Sequence, residues 1–375
     1  MFIKSVFIYL SDDARHPHRI GPAFILAGLL FASMPRPGEP AETGPLHEAR
    51  TNGFSELSRA YVALAIQGDL RRAPLLFEHS VGGGAAGAAL RAQFTDRFVA
   101  PPVRTSTGDP AEDTALAYRN YWRLNLLRSV EPGLAEARLA QDLAALLQLD
   151  GGENTPDPES LTVDLLERTG WHYSVASTPP WRDLFVWKSE RHDRYEVELT
   201  DQVVPVKVVF MDDFVVQGWK DFASLGLAAT TGWVENGHLY CVAWAYDTQS
   251  ENFAVSYLKH EARHLADLQR FPAMTAAELE YRAKLTELAF ANSDLSRIWN
   301  DFNAKAANNP DSPHAEANWR VVRDMERMMA TGQNPTPSNA LTSIDALRIN
   351  QAARRLLQEN TAYHLRASAS EAAAN

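Results

Sequence analysis

The residues able to do chemistry are gathered in one stretch, Tyr257-Leu258-Lys259-His260-Glu261-Ala262-Arg263-His264-Leu265, which holds a His-Glu-x-x-His pattern. Residues four apart on an α-helix lie on one face, one turn above each other. His260 and His264 can therefore present two imidazole nitrogens to one metal ion at about 2.0–2.1 Å, the distance zinc takes. Glu261 stands beside the first of them. It is near enough to take a proton from a metal-activated water without being a ligand itself. The chain has 11 His in 375 residues. A shuffled chain of this composition would show the pattern roughly 0.02 times, which favours a zinc site over a solvated helix with two unrelated histidines.

Two helices must position these groups. Thr248-Gln249-Ser250-Glu251 fits a capping box, with Thr248 at the N-cap and Glu251 at N3; Ser250 is an alternative cap slightly later. Pro272 should stop the helix at about Phe271. Phe253, Tyr257, Leu258, Ala262, Leu265 and Phe271 recur mostly at three- and four-residue steps, so one side should be buried. Thr275-Ala276-Ala277-Glu278 is a second capping box and opens a second helix running to Phe290. About five residues around Pro272 separate the two, which predicts an antiparallel hairpin.

On these residues, the segment resembles the active-site helix of the zincin metallopeptidases, over about residues 225–290. The metzincin pattern would need a glycine at position 267 and a His at position 270, where this chain has Asp267 and Arg270. The gluzincin branch takes a Glu from a helix downstream, so the resemblance implies a third ligand from the helix that Thr275 opens. Glu278 is expected to be used by the cap. Glu280 lies roughly 7 Å into the second helix and His264 roughly 10 Å before the end of the first, so the two are nearly level. Glu280 is the expected third ligand. Glu287, ~10 Å further along the same face, is one alternative. Asp267, on the ligand face of the first helix, is another, or it orients an imidazole. The plain reading of Glu280 is a solvated residue paired with Lys284.

The resemblance further implies Zn2+ with a fourth position open for water, Glu261 as general base, and a peptide or protein as substrate. It implies a sheet before the metal helix whose edge strand binds substrate backbone, here over 228–234. His314 or Tyr281 would stabilise the developing oxyanion. Two departures stand out. Arg263 occupies a position where these peptidases mostly carry an uncharged residue, and Lys284 replaces the acid of the thermolysin-like Glu-x-x-x-Asp. Both favour the alternative of a metal-binding but catalytically inactive envelope protein with a structural or interaction role.

The rest of the chain gives context. A net charge of −11 argues against a nucleic-acid partner or an anionic membrane surface. Arg15, His16, His18 and Arg19 precede an apolar run from Ile20 to Met34, which suits a signal peptide better than a full span of ~20 residues. Residues 1–40 are thus read as a signal peptide, or alternatively a membrane anchor, and the protein as exported, periplasmic or secreted. The lone Cys241 forms no internal disulfide and sits in a strand-like run, which predicts a buried, inert thiol. Residues 41–150 read as helical, with apolar periodicity over Phe54–Ile66, Ala115–Leu127 and Leu134–Leu149. A polar, turn-rich stretch over 150–159 marks a boundary. Beyond it, 151–375 is read as the zincin-like region. Strands are expected in Trp171–Ala176, Tyr195–Leu199, Val203–Phe210 and on both sides of Asn236-Gly237, a hairpin turn pair. The Trp residues from 171 to 244 are assigned to the core, and His79, His172, His192 and His238 to surface or structural roles. Ser293 is expected to cap a helix over Leu295–Phe302, and 367–375 reads as a loose tail. The expected fold class is α+β: N-terminal helices, then a small mixed or antiparallel sheet packed on the His-Glu-x-x-His helix, then C-terminal helices.

Overall fold

Two Asp-Pro pairs start helices in the first half of the chain. Asp109 accepts from the backbone N–H of Ala111 at 2.8 Å and of Glu112 at 3.4 Å. Asp157 does the same for Glu159 at 3.0 Å and Ser160 at 3.3 Å. Proline follows each cap, where its missing N–H costs nothing. The computed structural model describes residues 29–30, 45–79, 84–101, 106–131, 133–149, 156–178, 180–310, 312–330 and 343–374. The signal or anchor segment, apart from Leu29–Leu30, and most of the stretch expected to mark a boundary lie outside the described residues.

The chain forms two units. The first takes in β1 (Leu29–Leu30), α1 (Pro45–Ile66), α2 (Ala73–His79), α3 (Gly84–Phe94), α4 (Pro110–Leu126), α5 (Leu134–Leu146) and α6 (Pro158–Leu166). It continues with β2 (His172–Thr178), the start of β3 (Trp181–Glu198), the end of β4 (Val203–Gln217), α7 (Gly218–Ser224) and β5 (Ala229–Thr230). The chain leaves this unit within β3 and re-enters it within β4. β2 runs antiparallel to β3, with His172 opposite Trp187 and Thr178 opposite Trp181. Tyr61, Tyr118, Trp122, Leu143 and Trp219 are fully buried in its core.

One buried acid in this unit has a measurable consequence. Asp183 is fully buried and accepts from the Trp219 N–H at 2.8 Å and the Leu184 N–H at 3.1 Å, while its second oxygen has no hydrogen-bond partner. Gly218 at φ 82° turns the chain above it; a Cβ there would meet the carboxylate at 2.8 Å. Burial pushes the Asp183 carboxyl up to about 6 from 3.8. Its pKa is higher folded than unfolded, so its contribution to stability is complete below pH 3.8 and is lost as pH rises through about 6. A shift of about two units corresponds to about 3 kcal/mol. Asp183→Asn keeps an acceptor without the charge. Urea unfolding should find it more stable than wild type at pH 8, by up to that amount, with the gap closing at pH 4. A variant less stable at pH 8 would contradict this.

The second unit takes in the remainder of β3 and β4, then β6 (Gly232–Glu235) and β7 (His238–Val242). α8 (His260–Arg270), α9 (Ala276–Phe290), α10 (Leu295–Ala304), α11 (Pro313–Ala330) and α12 (Ser343–Ala374) follow. Within it β4 is parallel to β7, Val208 opposite Leu239, and β6 is antiparallel to β7 with Gly232 opposite Cys241. The sheet is therefore mixed, with β6 at its edge, and the fold class is α+β. Asn236 and Gly237 turn the β6–β7 hairpin with φ of 49° and 74°, the left-handed pair that a two-residue turn needs. Leu285, Leu288, Ile298, Val321, Met325 and Leu357 form a second core among the last helices.

Other expectations meet mixed outcomes. Cys241 is free and buried. Trp187, Trp219 and Trp233 are core residues, whereas Trp244 is 51% exposed. His79, His172, His192 and His238 lie at or near the surface, with His172 stacked on Trp187. Ser293 does not cap α10; its N–H and hydroxyl donate instead to the Glu251 carboxylate. The tail over 367–374 is the last part of α12, as its many alanines favour. Among the described residues no helix is long and apolar enough to cross a membrane.

Candidate metal centre

The helix that carries the motif begins with Ser250, whose hydroxyl accepts from the Phe253 N–H at 3.1 Å. Ser250, not Thr248, is the cap. The next residues, Asn252–Lys259, are π-helical, and α8 proper begins at His260. The wider π turn resets the helical phase just before the ligands, while the His260–His264 pair itself keeps regular four-residue spacing. Phe253, Val255, Tyr257 and Leu258 are buried on this segment. Gly232 of β6 lies so close to Tyr257 that a Cβ would come within 2.5 Å of its ring. That contact seats the edge strand against the segment that leads into His260 and His264.

α8 ends at Arg270, just before Pro272, and α9 begins after Thr275, whose hydroxyl accepts from the Glu278 N–H at 3.3 Å. The other half of that capping box does not form. The Glu278 carboxylate instead meets Arg320 at 2.7 Å, Asn360 at 2.6 Å and His364 at 3.2 Å. The two helices run antiparallel, with His264 facing Glu280 and His260 facing Glu287.

His260, His264 and Glu280 converge into a buried group that could hold a metal ion. The two imidazole Nε2 atoms are 3.0 Å apart. Glu280 Oε1 lies 3.3 Å from His264 Nε2, and Glu280 Oε2 lies 3.7 Å from His260 Nε2. Ligand atoms on a tetrahedral zinc at about 2.0–2.1 Å are roughly 3.3–3.4 Å from one another. The three separations straddle that value. The Glu280 side chain is fully buried, and groups able to carry positive charge surround it: His264, His260, His314 and Lys284 approach its oxygens at 3.3, 3.7, 2.9 and 3.8 Å. A buried carboxylate needs such company, or a metal cation, to offset the cost of its burial.

The surroundings fit the same purpose. Glu287 Oε1 lies 2.8 Å from His260 Nδ1, a contact that favours a proton on that nitrogen and would present Nε2 to a metal once bound. Glu287, an alternative third ligand on sequence grounds, lies outside the three converging residues and contacts His260 Nδ1 instead. Glu261 is buried, with Oε2 unpartnered, and lies outside the three converging residues. Burial pushes its carboxyl up. Burial also works to raise Glu280, but His314, His264 and His260 outweigh it and hold that carboxyl well below its usual range. Burial would lower the His260 imidazole, yet the Glu287 hydrogen bond and charge, with Glu280 and Glu261, raise it to about 9.

The remaining candidates fall into place. Asp267 is engaged by Arg282 at 2.7 and 3.0 Å and by Arg263 at 3.3 Å, so it neither joins the metal group nor orients an imidazole. Arg263 points to Asp201, 2.8 Å away in the β3–β4 turn, and is buried in this ion network. A partner 62 positions upstream left no local signal. Tyr281 donates to Asp324 at 3.1 Å. His314 Nδ1 reaches Glu280 Oε2 at 2.9 Å, and Lys284 Nζ lies 3.8 Å from the same oxygen, so the pairing with Lys284 exists beside the metal group. Searches of protein-family models, curated proteins and solved structures return no match to this chain.

The Glu287 contact gives a direct expectation. Glu287→Gln keeps the shape but removes the charge that fixes the His260 tautomer. Zinc affinity, measured by competition with a chelating dye, should fall about 10–100-fold. An unchanged affinity would remove Glu287 from the site.

Proposed function

We propose that this chain is a zinc-dependent, metallopeptidase-like hydrolase. His260, His264 and Glu280 hold the metal, and Glu261 is the general base. The observation that carries this reading is the meeting of three inward-facing ligand atoms with a separate buried carboxylate, Glu261, one of whose oxygens has no partner. A closed structural zinc site has no use for that additional carboxylate.

Zinc held there would supply Lewis-acid activation of water and of a peptide carbonyl. The chain's own groups do the rest. Glu287 locks the His260 ring. Glu261 receives the proton of the attacking water and delivers it to the leaving amine. Among the described residues β6 pairs only with β7, so an extended peptide could lie along its other side. Export is part of this reading and rests on the apolar run Ile20–Met34 alone.

The test is metal analysis of the purified full chain together with a peptide-library digest. Wild type should carry zinc and cleave peptides; His260→Ala should lose both. A His260→Ala protein that kept its full complement of zinc would overturn the ligand assignment.

A second reading, a metal-binding but inactive interaction protein, is favoured by one observation: His264 and Glu280 are 1% and 0% exposed. It predicts full zinc occupancy with no cleavage anywhere in the library.

A further inference from the structure

The first unit holds a cavity of about 420 Å3 that has no part in the metal group. Arg97, Arg119 and Asp221 line it, from the segment after α3, from α4 and from α7, with Phe214 and Phe222 beside them. Its size suits a small organic molecule.

The charged groups are held in place but not used up. Arg97 Nη1 donates to the Phe222 carbonyl at 2.9 Å and Arg119 Nη2 donates to the Val215 carbonyl at 2.6 Å. Each guanidinium has five N–H donors, so most remain. The Arg97 guanidinium also lies 5.2 Å over the Phe222 ring. Among the described residues, the Asp221 carboxylate takes part in no hydrogen bond or ion pair; it feels Arg97 and Arg119 only at longer range. Two cations and one acid thus face a common space without neutralising one another.

We propose that this cavity binds a free α-amino acid with an apolar side chain. Its carboxylate lies against Arg97 and Arg119, whose planar forks match a carboxylate. Its ammonium meets Asp221. Its side chain lies on Phe214 and Phe222. A simple anion such as phosphate would satisfy the two arginines but would face the Asp221 carboxylate unscreened. A simple amine would be repelled by the arginines. Only a ligand carrying both charges a short distance apart meets all three groups. Burial pushes Asp221 up to about 6, and a bound ammonium would relieve that cost.

The experiment uses the full chain and the common L-amino acids, each added singly at millimolar concentration and followed by thermal shift and calorimetry. A ligand at a hundredfold excess over its dissociation constant should raise the melting temperature by roughly 3–4 °C. An apolar amino acid should bind, while its N-acetyl derivative and its amide should each bind at least tenfold more weakly. Asp221→Asn and Arg97→Gln should weaken it similarly. These derivatives test the idea on the unaltered protein should a variant fold poorly. No binding by any amino acid, equal binding of the N-acetyl or amide form, or tighter binding of inorganic phosphate would each overturn the proposal. None of these outcomes depends on zinc or on peptide cleavage.

Discussion

Glu261→Gln should lower peptide cleavage by about 10²–10⁴-fold while zinc content stays at the wild-type level. The two halves of this expectation have different causes. Zinc content depends on His260, His264 and Glu280, whose ligand atoms converge without Glu261. Cleavage depends on a base that can take a proton, and an amide cannot. Burial already pushes the Glu261 carboxyl up, toward the range where a carboxylate is an effective base near neutral pH. Its unpartnered Oε2 is the atom that would receive the proton. The fold should tolerate the change, because Gln has the same volume and removes an uncompensated buried charge. The assay is turnover of the best peptide from a library digest, with zinc measured on the same samples. Unchanged turnover would strip Glu261 of its role. A parallel loss of zinc would recast Glu261 as part of the metal's binding shell.

Much of this centre was legible because helices make spacing into geometry. Four residues put His260 and His264 on one face, and the rise per residue put Glu280 level with His264 across a short turn. The Asn236-Gly237 hairpin was equally plain, since few other pairs accept two left-handed residues in succession. What stayed hidden was set by contacts across the chain. Arg263 looked like a departure from a family pattern. Its partners, Asp201 and Asp267, show it tying α8 to the β3–β4 turn. Glu287 was weighed as a ligand because helix rise gives only height along an axis; side-chain direction decides that it meets Nδ1 of His260. Glu278 fits its own cap by spacing, yet Arg320, Asn360 and His364 from later helices take it. The π-helical turns before His260 have no periodic signature, because the phase shift they make is as small as a local irregularity in the apolar pattern. The tail was read as loose from its small residues, although alanine is the strongest helix former.

Stripping zinc from the wild-type protein should lower its melting temperature by roughly 5 °C, if free metal stood a thousandfold above its dissociation constant beforehand. The reason is charge. Glu261, Glu280 and Glu287 bring three carboxylates into a buried space, and the nearby ammonium, Lys284, offsets one. With both ligand imidazoles neutral, two negative charges remain, which a divalent cation cancels. Without it, each unpaired buried carboxylate costs several kcal/mol or forces proton uptake. Besides His314 beside Glu280, the metal-free protein has an outlet in protonation of His260, whose imidazole Glu287, Glu280 and Glu261 raise against the pull of burial. That outlet softens the loss without removing it, since the buried carboxylates stay desolvated without the metal. The measurement is a thermal melt before chelation, after it, and after zinc is restored. His260→Ala is the control. It should melt low from the start and ignore the chelator, because the site can no longer close around a cation. A wild-type melt indifferent to both chelator and zinc would mean that the three acids are balanced by protons alone, and the metal reading of the cluster would fall with it.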